Sequence, residues 1–101
     1  MAQFDVYTNP NEDTNQRAPY LLDIQHDLLN ELSTRMVVPL VTGIRPMKHL
    51  TPPLEVEGQT VYLMTSEMAG VPLHVLGKRV MSLEPSRQEI IHAVDFLITG
   101  F

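Results

Sequence analysis

Pro85-Ser86-Arg87-Gln88-Glu89-Ile90-Ile91-His92-Ala93-Val94-Asp95-Phe96-Leu97-Ile98-Thr99-Gly100-Phe101 is the stretch in which the sequence changes its period. From Ile90 the apolar residues fall at 90, 91, 94, 97, 98 and 101, the one-sided stripe of an amphipathic helix. Pro85 suits a first helical turn, and Ser86 with Glu89 has the spacing of a capping box, so the helix starts within a residue or two of Ser86. The opposite side carries Glu89, His92, Asp95, Phe96 and Thr99, among which the ring of Phe96 is the odd member. Gly100 suits a left-handed helix end that turns Phe101 away from the axis. Two readings of this end stand side by side. Phe101 continues the stripe and tucks into the domain's own core, or Ile98 to Phe101 forms a short hydrophobic prong for a partner.

Upstream of this helix the period is two. Phe4, Val6 and Thr8 alternate with Asp5 and Tyr7, an opening strand with one apolar face. Residues 9–17 have no apolar side chain to bury and many turn formers, which predicts an exposed, mobile loop. Tyr20, Leu22 and Ile24 mark a second strand pairing back across it. Leu28, Leu29 and Leu32 between Asp27 and Thr34 fit one helical turn or an irregular corner equally well. Arg35 to Val41 reads as a buried strand in which Pro39 marks an edge, a bulge or a kink, because it cannot donate to a ladder. A second long loop covers residues 42–53, and 54–57 and 60–64 form a hairpin about Gly58-Gln59. Val71 to Leu76 is a further strand and Gly77-Lys78-Arg79 a turn. The expected fold class is therefore mostly β, formally α+β: short antiparallel strands with one C-terminal helix, in a single domain over residues 1–101.

Composition removes several kinds of chemistry. The chain has 101 residues, no cysteine and a net charge of −5, so disulfides, Cys-rich zinc sites, iron–sulfur clusters and thiol nucleophiles are excluded. An acidic balance lacks the footprint of a protein that grips phosphates. No apolar run approaches a membrane span, and Met1 to Asp5 lacks the features of a signal peptide, so a cytoplasmic protein without membrane attachment is expected. His26, His49, His74 and His92 have no metal-pair spacing, and Glu55 with Glu57 reads as a solvated strand face. Arg45 with Lys48, and Lys78 with Arg79, are small basic clusters without interleaved aromatics. No serine sits in a nucleophile elbow and no Gly-rich phosphate loop is present, so no catalytic residue, cofactor or metal is assigned.

Five blocks of sequence resemble the CcdB family, toxins of the "control of cell death" toxin–antitoxin modules. They are Gln3-Phe4-Asp5-Val6-Tyr7, Asp23-Ile24-Gln25-His26-Asp27-Leu28-Leu29, Arg35-Met36-Val37-Val38-Pro39-Leu40, Met64-Thr65-Ser66-Glu67-Met68-Ala69-Gly70-Val71-Pro72 and Asp95-Phe96-Leu97-Ile98-Thr99-Gly100-Phe101. The resemblance implies an SH3-like barrel with a C-terminal helix, assembled as a symmetric homodimer. It implies a toxin that binds the DNA gyrase A subunit and traps gyrase on cleaved DNA, without being an enzyme itself. It also implies a CcdA-like antitoxin that wraps the toxin and, with it, represses the operon. DNA is then met only through the antitoxin complex.

Carried onto this sequence, the gyrase-binding set is Leu28, Leu29, Asp95, Ile98, Thr99, Gly100 and Phe101, with His26 and His92 nearby. The plasmid toxin ends in tryptophan, glycine and isoleucine. Here Thr99 and Phe101 replace the first and last, and Asp95 stands for an uncharged amide. Losing an indole removes a residue type often worth about 2 kcal/mol or more at an interface. Two alternatives follow. One is an endoribonuclease of the MazF and Kid type, sharing the barrel, with Arg35 and Arg79 as its candidate acid–base residues. The other is a non-toxic paralogue that only dimerises and binds antitoxin. The loops at 9–18 and 42–53 are expected to shape the antitoxin groove.

Overall fold

A computed structural model describes residues 2–100. Among them the chain forms seven antiparallel strands and one α-helix: β1 (Asp5–Thr8), β2 (Tyr20–Asp23), β3 (Thr34–Val41), β4 (Pro53–Val56), β5 (Gln59–Leu63), β6 (Ala69–Pro72), β7 (Arg79–Ser82) and α1 (Arg87–Thr99). The strands make one curled sheet in the order β4-β5-β3-β2-β1-β7, with β6 paired to β3. Phe4, Val6, Leu22, Val38, Leu40, Val56, Val61 and Leu63 form its buried concave layer, closed by Ile90 and Ala93 of α1. This is the expected mostly-β, α+β architecture of a half-barrel with a C-terminal helix.

Several local readings hold and several change. β1 and β2 pair across the first loop with Val6 opposite Leu22. That loop is exposed, yet Asn9 ties it together, its Nδ2 donating to Thr14 Oγ1 at 3.0 Å and to the Ala18 carbonyl at 2.9 Å. β1 does not have one polar face, because Asp5 and Tyr7 are buried as well. Phe4 lies outside the strand in a left-handed conformation with φ 72°. The twist drives its ring into the core while its N–H reaches the Asp23 carbonyl at 2.6 Å.

Pro39 lies in a central strand, not at an edge. In antiparallel pairing a residue's N and C=O point the same way, and the Pro39 carbonyl accepts Met64 N–H at 3.0 Å. Its missing donor therefore falls where the neighbour of β3 changes from β6, paired over Thr34 to Val37, to β5, paired at Leu40 and Val41. The hairpin is present, but its turn is Glu57-Gly58, with φ 51° and 77°, one residue earlier than read. Glu57 thus leaves the expected strand face and accepts the Tyr20 hydroxyl at 2.8 Å.

The strand expected over 71–76 ends at Pro72, which closes the ladder with β3, and Leu73–Val75 is a 3-10 turn. β7 is a strand that the sequence pattern does not predict, and it begins at Arg79, expected in a turn; Asp5, Val6 and Tyr7 pair with it across a register shift. Ser86 does precede α1, but its side chain makes no capping bond. The 3-10 turn Glu84–Ser86 satisfies the entry instead, with the Arg87 N–H donating to the Glu84 carbonyl.

Candidate functional site

Two exposed apolar features stand out, and both were singled out from sequence. The first is the corner between β2 and β3, which contains a single 3-10 turn, Asp27–Leu29, with no buried residue. Leu28 is 86% exposed, and Leu29 and Leu32 are exposed beside it. Polar side chains hold this turn in place of a hydrophobic anchor. The Leu28 N–H donates to His26 Nδ1 at 3.1 Å, and Gln3 N–H donates to Asp27 Oδ1 at 2.8 Å. Gln25 Nε2 donates to the Leu29 carbonyl at 2.9 Å, and Gln25 Oε1 accepts the Met36 N–H at 3.0 Å.

Beneath the corner lies a buried ion pair. Arg35 Nε donates to Asp23 Oδ2 at 2.8 Å, and the guanidinium also donates to Asn30 Oδ1 and to the Gln25 carbonyl. Arg35 is 1% exposed. Burial pushes the Asp23 carboxyl above its ordinary range even though Arg35 and the Gln25 N–H pull it down. On the same side of the sheet, Arg79 pairs with Asp5 at 3.2 Å. The Tyr7 hydroxyl is raised mainly by burial and then by Asp5 and Asp23.

The second feature is the far end of α1. Its buried side is Ile90 and Ala93; Leu97 is exposed and Ile98 is 74% exposed, so the apolar stripe leaves the core part-way along the helix. Asp95 and Thr99 are exposed too, with Thr99 Oγ1 donating to the Asp95 carbonyl at 2.8 Å. Gly100 takes the left-handed helix end with φ 78° and its N–H donates to the Phe96 carbonyl. The expectation for Phe101 lies outside the described residues.

Phe96 is not on a solvated face. It is half-buried, its ring 5.6 Å from that of His49, which also meets His92 edge-on at 5.5 Å. The loop at 42–52 is therefore seated on α1 by rings that the helical stripe alone did not reveal.

The two apolar features are not adjacent within one chain. Gln3 contacts both Asp27 and Arg87, and the Arg87 guanidinium lies over Phe4 at 5.5 Å, so the 27–29 turn is near the start of the helix. Ile98 is eleven residues further on, about 17 Å along the axis at 1.5 Å per residue. A separate groove of about 530 Å³ opens between the first loop and the segment after β6, floored by Leu21, Pro39, Val71 and Val75. The Arg17 and Glu67 ion pair at 2.9 Å lies along it. Sequence reading pointed to the first loop but had no signal for this floor, whose residues come from three separate strands and the turn after them. The loop at 42–53 does not line it.

A family model described as CcdB protein matches residues 3–100. The chain belongs to the CcdB family. It is accordingly a member of a family of toxins from toxin–antitoxin modules. Its fold is shared with more distant structures. A mycobacterial endoribonuclease solved with its cognate antitoxin aligns at TM-score 0.80 and 16% identity, covering 97% of this chain and 94% of that one. A second mycobacterial endoribonuclease aligns at TM-score 0.75 and 14% identity, covering 97% and 90%. The Mycobacterium tuberculosis toxin MazF-mt6 aligns at 0.69 and 15% identity, covering 78% and 84%.

In the CcdB-family chain the two arginines considered for ribonuclease chemistry have different surroundings. Arg35 is enclosed and fully engaged, with no surface from which to meet a substrate. Arg79 is exposed and paired with Asp5. Among the described residues no group of three or more His, Asp or Glu side chains is arranged to hold a metal ion, and no helix is long and apolar enough to cross a membrane.

Proposed function

We propose that this protein is a cytoplasmic toxin that acts by binding, without catalysis, to the DNA gyrase A subunit and traps gyrase on cleaved DNA. The observation that carries the reading is the exposure of Leu28, Leu29 and Ile98, apolar residues inside the stretch the family model matches that the domain's own core leaves exposed. Large exposed apolar side chains are candidates for a partner, and a surface docking on a protein needs no positive charge. Asp95, Thr99, Gly100 and Phe101 complete the docking set. A symmetric homodimer brings two copies of α1 side by side, offering two Ile98 ends to one target. A CcdA-like antitoxin neutralises the toxin, its extended segment entering the groove beside the first loop, and reaches DNA on behalf of the complex.

Expression in a host with ordinary gyrase and in one with a toxin-resistant gyrase A subunit tests this. Growth inhibition confined to the first host is expected. Inhibition in neither host makes the protein a paralogue that only dimerises and binds antitoxin. Deleting Thr99 to Phe101 should abolish inhibition and leave antitoxin binding intact.

The endoribonuclease reading draws support from the shared fold of the mycobacterial enzymes. Enclosure of Arg35 weighs against it, since an acid–base residue must reach the reacting atoms. Cleavage of RNA by the purified protein, with gyrase absent, would establish it.

A further inference from the structure

We infer that Arg35 is a positioning residue for partner docking: braced by Asp23, it grips Asn30 and the Gln25 backbone and so holds Leu28 and Leu29 out as a rigid knob. The inference rests on the gyrase-binding reading above and deepens it. An exposed 3-10 turn with no buried side chain has nothing hydrophobic to order it. Left to itself, a turn tipped with two leucines would sample many conformations or fold its side chains back onto the sheet. Ordering it on binding then weakens the complex, because each side chain immobilised costs conformational entropy.

Four side chains remove that freedom. Arg35 reaches across the corner from β3 to Asn30 and to the Gln25 carbonyl. Gln25 in turn bridges the Leu29 carbonyl and the Met36 N–H. His26 Nδ1 accepts the Leu28 N–H inside the turn, and the Asp27 carboxylate accepts the Gln3 backbone N–H. The clamp is thus anchored on β3 through Arg35, braced from β2 by Asp23, and completed by side chains of the corner itself.

A buried Asp–Arg pair is also an unusual choice if stability were its purpose. Taking both charges out of water consumes most of what their attraction returns, and apolar side chains of similar volume often serve as well. Its two charges do something that apolar residues cannot. They fix a five-donor fork at one angle, with donors left over for the corner.

Three full-length variants test this. Asn30→Ala removes an exposed acceptor and leaves the buried pair alone. Arg35→Lys keeps a charge beside Asp23 without a fork. The double variant Asp23→Leu with Arg35→Met replaces the pair by apolar groups and guards against an unfolded result. Amide hydrogen exchange is read at Leu29, Asn30 and Leu32, whose N–H groups close the turn on His26, Asp27 and Leu29. Affinity is measured against purified gyrase A subunit.

Exchange at these three amides should quicken about tenfold or more in each variant while β2 and β3 keep their protection. The dissociation constant should rise about tenfold with it. Leu28→Ala should lose affinity with exchange unchanged, which separates the knob from its clamp. Unchanged exchange in Asn30→Ala and Arg35→Lys overturns the inference. So does faster exchange with unaltered affinity, or a loss of protection spread over both strands. If the unaltered protein does not bind gyrase A, the docking reading fails by itself, and exchange alone then decides whether Arg35 holds the turn.

Discussion

Asp23 and Arg35 face each other with almost no contact with water, and their energetics have a definite sign. Burial outweighs the nearby guanidinium and raises the Asp23 carboxyl. Between the ordinary carboxylate value and that raised one, the folded protein holds more protons than the unfolded chain. Stability from this group is therefore present at low pH and is lost as pH rises through the folded value. Urea midpoints should show this fall in the unaltered protein, and Asp23→Asn should remove it. Glu67 has the opposite sign, because the hydrogen bond from Arg17 lowers it, and its contribution disappears as pH falls through its folded value. That pair is exposed and worth about 0–1 kcal/mol at most. Arg35→Met alone leaves a buried carboxylate without its counter-charge and should cost about 3–5 kcal/mol, read from urea unfolding.

α1 is buried at Ile90 and Ala93 and exposed at its end, so its packing and its proposed docking role should separate by mutation. Ile90 and Ala93 are buried and hold the helix on the sheet, whereas Ile98 is in solvent. Ile98→Asp should change unfolding stability by no more than about 0.5 kcal/mol, yet abolish binding to gyrase A in a pull-down with the purified subunit. A helix variant that loses both has failed in its fold, not in its docking surface. The junction of β1 with the turn before β7 behaves differently. A methyl group at Gly77 would lie 2.1 Å from Thr8 Oγ1 and 2.7 Å from the Thr8 carbonyl oxygen, while Lys78 N–H donates to that hydroxyl at 2.9 Å. Gly77→Ala should therefore destabilise by about 1–3 kcal/mol through forced displacement, visible as a lower thermal midpoint.

Among the described residues, large apolar side chains are exposed at Leu28, Leu29 and Leu32 in one corner, at Met36 on β3, Met47 in the second loop and Leu73 after β6, and at Leu97 and Ile98 on the helix. The proposed homodimer offers a use for part of this surface. Sedimentation equilibrium at micromolar concentration should return twice the chain mass of 11.4 kDa, and a mass of one chain would remove the paired-helix arrangement from the proposed function.

Periodicity alone was enough for the sheet-plus-helix architecture, because strands at period two and a helix at 3.6 are set by which side chains must leave water. It located β1, β2, β3, the hairpin and α1, and the ordered blocks of sequence pointed to the family. It could not place Asp23 and Arg35 together, since their meeting depends on the β2–β3 register and a corner between them. It offered no partner for the odd ring of Phe96, because His49 lies in a loop with no period at all. It missed β7, whose four residues become a strand only by pairing with β1. Local pattern determined which elements exist and which side chains seek burial. Tertiary packing decided how far along α1 the core extends, and hence that Ile98 stays in solvent.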